Sequence, residues 1–297
     1  TPGVVFGLAC AVRAYTNEGD HILIQQPLYY PVMEVISDNN RKITNSELVL
    51  KDGHYEIDFD DFERKITEDN VKLFILCNPH NPVGRVWTKD ELAKIADIAL
   101  RHEVVIVSDE IHEDFVMPGH KHIPLINADE RIKNACVICT SPSKTFNLAG
   151  LQAANIFIPN EELRKKFKKQ IDVTGYSQLG TFAIESTKAA YEKGEEWHSA
   201  VVKYIADNYL FAKEYIEKHI PKIKVIEPEG TYLLWLDLRG YGLAANEIRS
   251  RIIDKAKLWL DDGIIFGRSG AGFQRINLAT QRQTLEEALS RLGKVFG

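Results

Sequence analysis

Cysteine is scarce. There are four, Cys10, Cys77, Cys136 and Cys139, among 297 residues, too few for a disulfide framework in a chain this long. Cys136 and Cys139 stand as C-x-x-C, but inside a strand-like apolar run and with no second pair at zinc-ligand spacing. They read as core packing rather than a redox or zinc centre. Long apolar runs are also missing: none approaches the ~20 residues that span a bilayer. There is no basic excess; the net charge of −5 argues against nucleic acid or an anionic membrane as partner. The expected class is a cytoplasmic enzyme. The first residues show no charged-then-apolar leader pattern. Thr1-Pro-Gly-Val-Val reads instead like the middle of a domain, and an N-terminal segment is expected before it.

What the chain does hold suits a folded α/β protein. Hydrophobic residues are 44% and charged residues 27%, ordinary for a globular protein, and 297 residues are enough for two domains or one large α/β domain with a satellite. Short apolar runs at 21–25, 43–50, 71–77, 104–107, 135–140 and 153–158 have strand character. Helical patterns lie between them at 4–15, 32–37, 59–66 and 88–99, and a charged, solvated helix follows at 161–169. That alternation predicts an α/β fold, a mostly parallel central sheet with helices on both faces. Thr88 and Glu91 spell a capping box.

Near Gly194 the texture changes. A long amphipathic helix over 195–219 precedes an antiparallel hairpin over 222–226 and 231–238. A helix over 246–258, a strand over 275–279 and a closing helix over 285–296 follow, the last with Thr284 and Glu287 as its capping box. These predict a smaller C-terminal α+β domain, 194–297, after a large domain, 1–193.

One stretch stands apart. From Ala135 to Asn160 the only charged residue is Lys144. Such a lysine is either a solvated loop residue or a group with a partner, because an unpaired buried ammonium is costly. In open α/β sheets, ligands sit beyond the carboxyl ends of the strands. Here those ends carry Tyr29 and Tyr30, then Asn78, then Asp109, then Ser141, Ser143 and Lys144. An aromatic ring, an amide, a carboxylate, two hydroxyls and an amine are the groups that pyridoxal phosphate requires. Singly each is a weak signal, since an Asp after a strand is often a helix cap and Asn-Pro a turn. Their succession on consecutive strands is the stronger one. His120-Lys-His122 reads as a solvated loop rather than a metal site, and Trp235 and Trp259 read as packing residues.

The motifs Asn78-Pro-His-Asn-Pro-Val-Gly84, Ser108-Asp-Glu-Ile-His112, Ser141-Pro-Ser-Lys-Thr-Phe-Asn-Leu-Ala-Gly150 and Phe266-Gly-Arg-Ser-Gly-Ala-Gly-Phe-Gln-Arg-Ile-Asn277 resemble the fold-type I pyridoxal-phosphate-dependent aminotransferase superfamily. The match is to its MalY/PatB-like cystathionine β-lyase (carbon–sulfur lyase) branch and covers essentially the whole chain. The resemblance implies the aspartate aminotransferase fold, with pyridoxal 5′-phosphate as cofactor. Lys144 becomes the Schiff-base lysine and Asp109 the partner of the ring nitrogen. Asn78 would bind the ring hydroxyl. Tyr29, ahead of Tyr30, would stack on the ring and face the substrate, and His112 would lie near the cofactor. Ser141, Ser143 and the backbone of Gly3, Val4 and Val5 would hold the phosphate. Arg275 would grip the substrate carboxylate. The family also implies a homodimer with active sites near the interface, reached by an arm from before the equivalent of Thr1.

Two positions depart from the common aminotransferase pattern. His112 stands where many members carry a tyrosine, and Gln152 where many carry a phosphate-binding arginine. Both are what the lyase branch shows. The expected reaction is α,β-elimination of L-cystathionine or related S-substituted L-cysteines to a thiol, pyruvate and ammonia. Transamination and a cofactor-containing regulatory binding protein are the alternatives. No metal is expected.

Overall fold

The computed structural model describes residues 1–297. Helix α1 (Val4–Tyr15) leads to β1 (His21–Ile24), α2 (Tyr30–Asp38) and β2 (Lys42–Asn45). A hairpin of β3 (Val49–Lys51) and β4 (His54–Glu56) precedes α3 (Phe59–Glu68), β5 (Leu73–Cys77), α4 (Lys89–Arg101) and β6 (Val105–Asp109). Then come α5 (Leu125–Ala128), β7 (Cys136–Thr140), α6 (Pro142–Thr145), β8 (Asn155–Phe157), α7 (Glu161–Val173) and α8 (Thr181–Lys193).

The central sheet runs β2-β1-β5-β6-β7-β8. Its neighbours are parallel except β8, which pairs antiparallel with β7 at the edge. Strands β5 and β7 are buried at every position, as continuous apolar runs covered on both faces must be. Phe74, Leu76 and Ile106 point to the face packed by Phe62 of α3 and Leu92 and Ile95 of α4. Ile75, Val107 and Val137 point to the other, against Leu8 and Val12 of α1 and Ile36 of α2. Each such fully buried side chain contributes roughly 1.5–3 kcal/mol relative to exposure. The Thr88–Glu91 capping box forms and starts α4.

The same alternation explains the cysteines. Cys136 packs with the first face and Cys139 with the second, because residues three apart on a strand point to opposite sides. All four cysteines are free and buried, so C-x-x-C is here a packing pattern.

Helix α9 (Glu195–His219) carries the chain to a second layer: β9 (Lys224–Ile226), β10 (Leu233–Asp237), α10 (Ala245–Ser250), β11 (Asp261–Asp262), β12 (Phe273–Asn277) and α11 (Arg282–Phe296). Its strands form an antiparallel sheet, β11-β12-β10-β9. Leu234 and Leu236 pack there with Ile216 of α9 and Leu285 and Leu289 of α11. No helix is long and apolar enough to cross a membrane.

Several expectations change. The run 43–50 is not one strand. Asn45 turns its side chain to Gln26 N (2.9 Å) and Ser46 bonds Asp61 (3.0 Å), which takes the chain out of the sheet. Residues 49–51 then pair back on 54–56 around Asp52-Gly53. The helix expected over 246–258 is α-helical only to Ser250 and loosens into a π turn over Arg251–Lys255. The Thr284–Glu287 box does not form, because the helix already starts at Arg282, after Gln281. Trp235 packs as expected, stacked 5.1 Å from Phe273. Trp259 does not: the chain turns at Lys257 (φ 55°) and leaves the indole 83% exposed.

Candidate active site

Side-by-side pairing of β5, β6 and β7 sets Cys77, Asp109 and Cys139 in one row at the carboxyl edge of the sheet. The loops leaving that edge enclose a cavity of about 340 Å³. Gly3, Val4 and Val5 of the α1 entry, Tyr29 and Tyr30 line one side. Asp109, His112, Ser143, Lys144 and Gln152 line another, and Arg275 reaches in from β12. Residues spread over the whole chain thus meet in one place.

Helix α6 is a single turn that presents Lys144. Ser141 caps it, accepting from Ser143 N (3.0 Å). The Ser141 hydroxyl lies 2.6 Å from the Ala153 carbonyl and 2.7 Å from Ser143 Oγ. A carbonyl can only accept, so the Ser141 proton is committed to it, and Ser143 is the hydroxyl that faces the cavity. At the α1 entry, Gly3 provides no side-chain cap. The first amides of that helix are left open, and together with the helix dipole they favour an anion.

Asp109 is buried, and its carboxylate accepts one hydrogen bond, from Ile111 N (3.2 Å). Burial pushes its pKa up to about 6 against the pull of the Ile111 N–H, and Glu110 adds to the rise. His112 is buried edge-on against Tyr232, ring centres 5.3 Å apart. Burial, then the positive charges of Lys144 and Arg275, push its pKa down to about 3. Its ring is neutral, and Nδ1 has no partner.

Arg275 is held on two sides. Nε and Nη2 donate to Asp261 Oδ2 (3.0 and 2.6 Å), Nη1 donates to Asn81 Oδ1 (2.7 Å), and the guanidinium lies 4.7 Å over the Phe266 ring. The glycine-rich turn before it has a steric cause. A Cβ at Gly270 would run into the Gly263 carbonyl, and Gly267 sits at φ 123°, where side chains are disfavoured.

Asn78 is not where the sequence placed it. It is fully buried, donating to the Ile123 carbonyl (3.2 Å) and accepting from Trp87 N (3.3 Å). Three residues on, Asn81 lines the cavity. The loop folds back after β5, so the first Asn-Pro pins the turn and the second reaches the site. Ser141 likewise stands behind the wall. Tyr232 and Asp261 were missed, although both line the cavity; the repeated Asn-Pro was a usable signal for Asn81, and neither of these two had one. His122 is also not solvated. Its loop returns to Glu110, with Nε2 3.0 Å from Oε2, and Glu113 completes a cluster whose ligating atoms lie within 4.8 Å of one another.

These groups fit a phosphorylated pyridine aldehyde. Asp109 has a free oxygen for a protonated ring nitrogen, Lys144 an amine for the aldehyde, and the α1 entry with Ser143 an anion cradle. Residues 1–292 match the aminotransferase class I and II family, and the chain belongs to it. Within that family it belongs to the MalY/PatB carbon–sulfur lyase branch. It is 41% identical over 292 residues to cystathionine β-lyase PatB of Bacillus subtilis, covering 98% of this chain and 76% of that protein. It is also similar to cystalysin of Treponema denticola, whose structure contains pyridoxal 5′-phosphate: TM-score 0.97 and 41% identity over 99% of this chain and 75% of that one. A pyridoxal-phosphate-bound putative aminotransferase from Clostridium difficile matches with TM-score 0.97 and 44% identity, covering 100% and 76% respectively.

Proposed function

We propose that this chain is a pyridoxal-phosphate-dependent carbon–sulfur β-lyase acting on S-substituted L-cysteines, L-cystathionine among them, and yielding a thiol, pyruvate and ammonia. The convergence of Lys144, Asp109 and Arg275 on one cavity carries this reading, and the likeness to PatB supports it. Asp109 would hold the ring nitrogen and Tyr29 the ring face. Asn81 takes the ring-hydroxyl role first expected of Asn78. Gly3, Val4, Val5 and Ser143 would hold the phosphate, with Ser141 fixing Ser143 from behind, and Lys144 would bind the aldehyde. When bound, the cofactor supplies an electron sink for the pair left at Cα.

The chain's own groups do the rest. A guanidinium has five N–H donors, and Arg275 commits three, one on each nitrogen. One donor is left on each terminal nitrogen, a fork suited to a carboxylate. So held, the substrate presents Cα–H to Lys144, which takes the proton as general base and returns one to the sulfur leaving Cβ. His112, kept neutral, adds no second cation beside Arg275. The same reading divides the chain at Gly194 into a cofactor-binding domain, 1–193, and a smaller domain, 194–297. It also pairs two copies as a homodimer; Phe182 and Ile184 of α8, 81% and 49% exposed, are apolar surface available to such a contact.

The test uses purified protein, pyridoxal phosphate and L-cystathionine. Pyruvate and free thiol should appear in equal amounts with no 2-oxo acid added. Product formed only when a 2-oxo acid is supplied would overturn the lyase reading in favour of transamination.

A further inference from the structure

Lys144 is presented by a helix of one turn, α6. One turn does not hold itself, because nucleating a helix fixes several dihedrals for a single hydrogen bond. The aim of the lysine therefore depends on what ties α6 from outside. Ser141 caps its start. At its other end Thr145 is buried, and its hydroxyl donates to Asp114 Oδ2 at 2.7 Å. A threonine in a helix can satisfy its hydroxyl on its own preceding turn. This one reaches instead to a carboxylate 31 residues earlier in the chain. Thr145 is the one side chain that bonds that carboxylate, and a hydrogen bond to an ionised acceptor is stronger than one between neutral groups.

The anchor is itself anchored. Asp114 ends the turn over 111–114 that leaves β6, so it is fixed to the sheet edge that carries Asp109. His198 of α9 donates from Nε2 to the Asp114 carbonyl (3.0 Å), and its ring packs on Phe146, directly after α6 (6.1 Å). Phe146 fills the space beside Gly194, where a Cβ would run into its ring. The Thr145–Asp114 bond thus joins the strand end that bears Asp109 to the turn that bears Lys144, the two groups that the reading above gives to one cofactor.

We propose that Thr145 and Asp114 are positioning residues, whose hydrogen bond fixes the rotation of α6 and with it the aim of Lys144. The inference rests on Lys144 as the group that binds the aldehyde and takes the proton at Cα. A base displaced by about 1 Å loses rate by up to about 10²-fold. The carboxylate grip of Arg275 is untouched, so the loss falls on kcat and not on KM.

The experiment uses three single variants and one double. Thr145→Val keeps the shape and removes the donor, Asp114→Ala removes the acceptor from a half-buried side chain, and Thr145→Ser keeps the donor. In the loaded protein, Thr145→Val and Asp114→Ala should each lower kcat for pyruvate formation from L-cystathionine by about tenfold or more, with KM nearly unchanged. A second readout needs no turnover. Cofactor-free protein is mixed with pyridoxal phosphate and quenched with borohydride at successive times. Reduced cofactor should gather on the Lys144 peptide about tenfold more slowly in both variants. Thr145→Ser should restore both rates, and the double variant should be no worse than the slower single one, because the two act through one bond. A tie that merely stabilises the fold would lower Tm and leave both rates of the folded protein unchanged, which overturns the proposal. So does a double variant whose loss is the product of the single losses. Should Thr145→Val not fold, Asp114→Ala decides on the same two readouts. Absence of pyruvate from the wild type would mark failure of the lyase reading itself, and the trapping rates still decide the tie.

Discussion

Two cavities meet at Lys144, the one at the sheet edge of about 340 Å³ and a more open one of about 650 Å³ beside it, and they are assembled from opposite kinds of side chain. The first gathers Asp109, Lys144, Asp261 and Arg275 around neutral His112. The second is uncharged apart from the lysine they share. Charges near a protein interior need fixed partners, so each is tied to a rigid strand end, a one-turn helix or a hydrogen-bonded neighbour. An uncharged wall needs only shape, and it is put together from Phe115, α9 and residues 279–284, segments that share no motif.

The contrast can be broken in four ways, from the largest effect down. Lys144→Ala removes the one charged group common to both cavities and should lower pyruvate formation by about 10⁴-fold or more, leaving secondary structure intact by circular dichroism. Retained turnover would dissolve the distinction. Asp109→Asn should cost about 10²–10³-fold in turnover. It also carries a pH signature in the cofactor-free protein. The Asp109 pKa of about 6 lies above its ordinary 3.8. Its contribution to stability is therefore full below 3.8 and lost as pH rises through about 6. The variant should gain in Tm relative to wild type as pH climbs through that window, and a difference flat with pH would refute the assignment.

The third break compares neighbours in one loop. Asn81→Ala frees one side of Arg275 and should raise KM for the amino acid by about tenfold with little change in Tm. Asn78→Ala strips two buried backbone partners and should instead cost about 2 kcal/mol of stability, read by urea denaturation, with KM nearly unchanged. The reverse pattern would restore the original assignment to Asn78. Last, Trp259→Ala should shift stability by no more than about 0.5 kcal/mol, because its indole is exposed; a loss of several kcal/mol would show a packing role.

Strand ends were the legible part of the molecule. Lys144 announced itself by being alone in an uncharged stretch. Asp109 stood where an apolar strand meets a turn, and Arg275, inside β12, stood out only through the family resemblance. Asn78 and Asn81 show the limit: two Asn-Pro pairs three residues apart offer the same chemistry, and only the fold of the loop decides which one faces inward. The run 43–50 failed for a related reason, since side-chain bonds from Asn45 and Ser46 to distant partners have no trace in apolar periodicity. His122 reads as solvated in the sequence because its carboxylate partner, Glu110, lies outside the spacing that a local metal motif would show. Helix α8 leaves no mark in the sequence: Ala183 is its one buried residue, and a helix without an apolar stripe has no sequence period to detect. The second cavity was invisible throughout, since nothing in its composition is unusual until the chain folds.

The central claim is that Lys144 is the residue that binds the cofactor, at the point where both cavities meet. Borohydride reduction of the protein loaded with pyridoxal phosphate, followed by digestion and peptide mass analysis, tests it directly. The mass of the reduced cofactor should appear once per chain, on the peptide that contains Lys144. Its appearance on another lysine, or on none, would contradict the account.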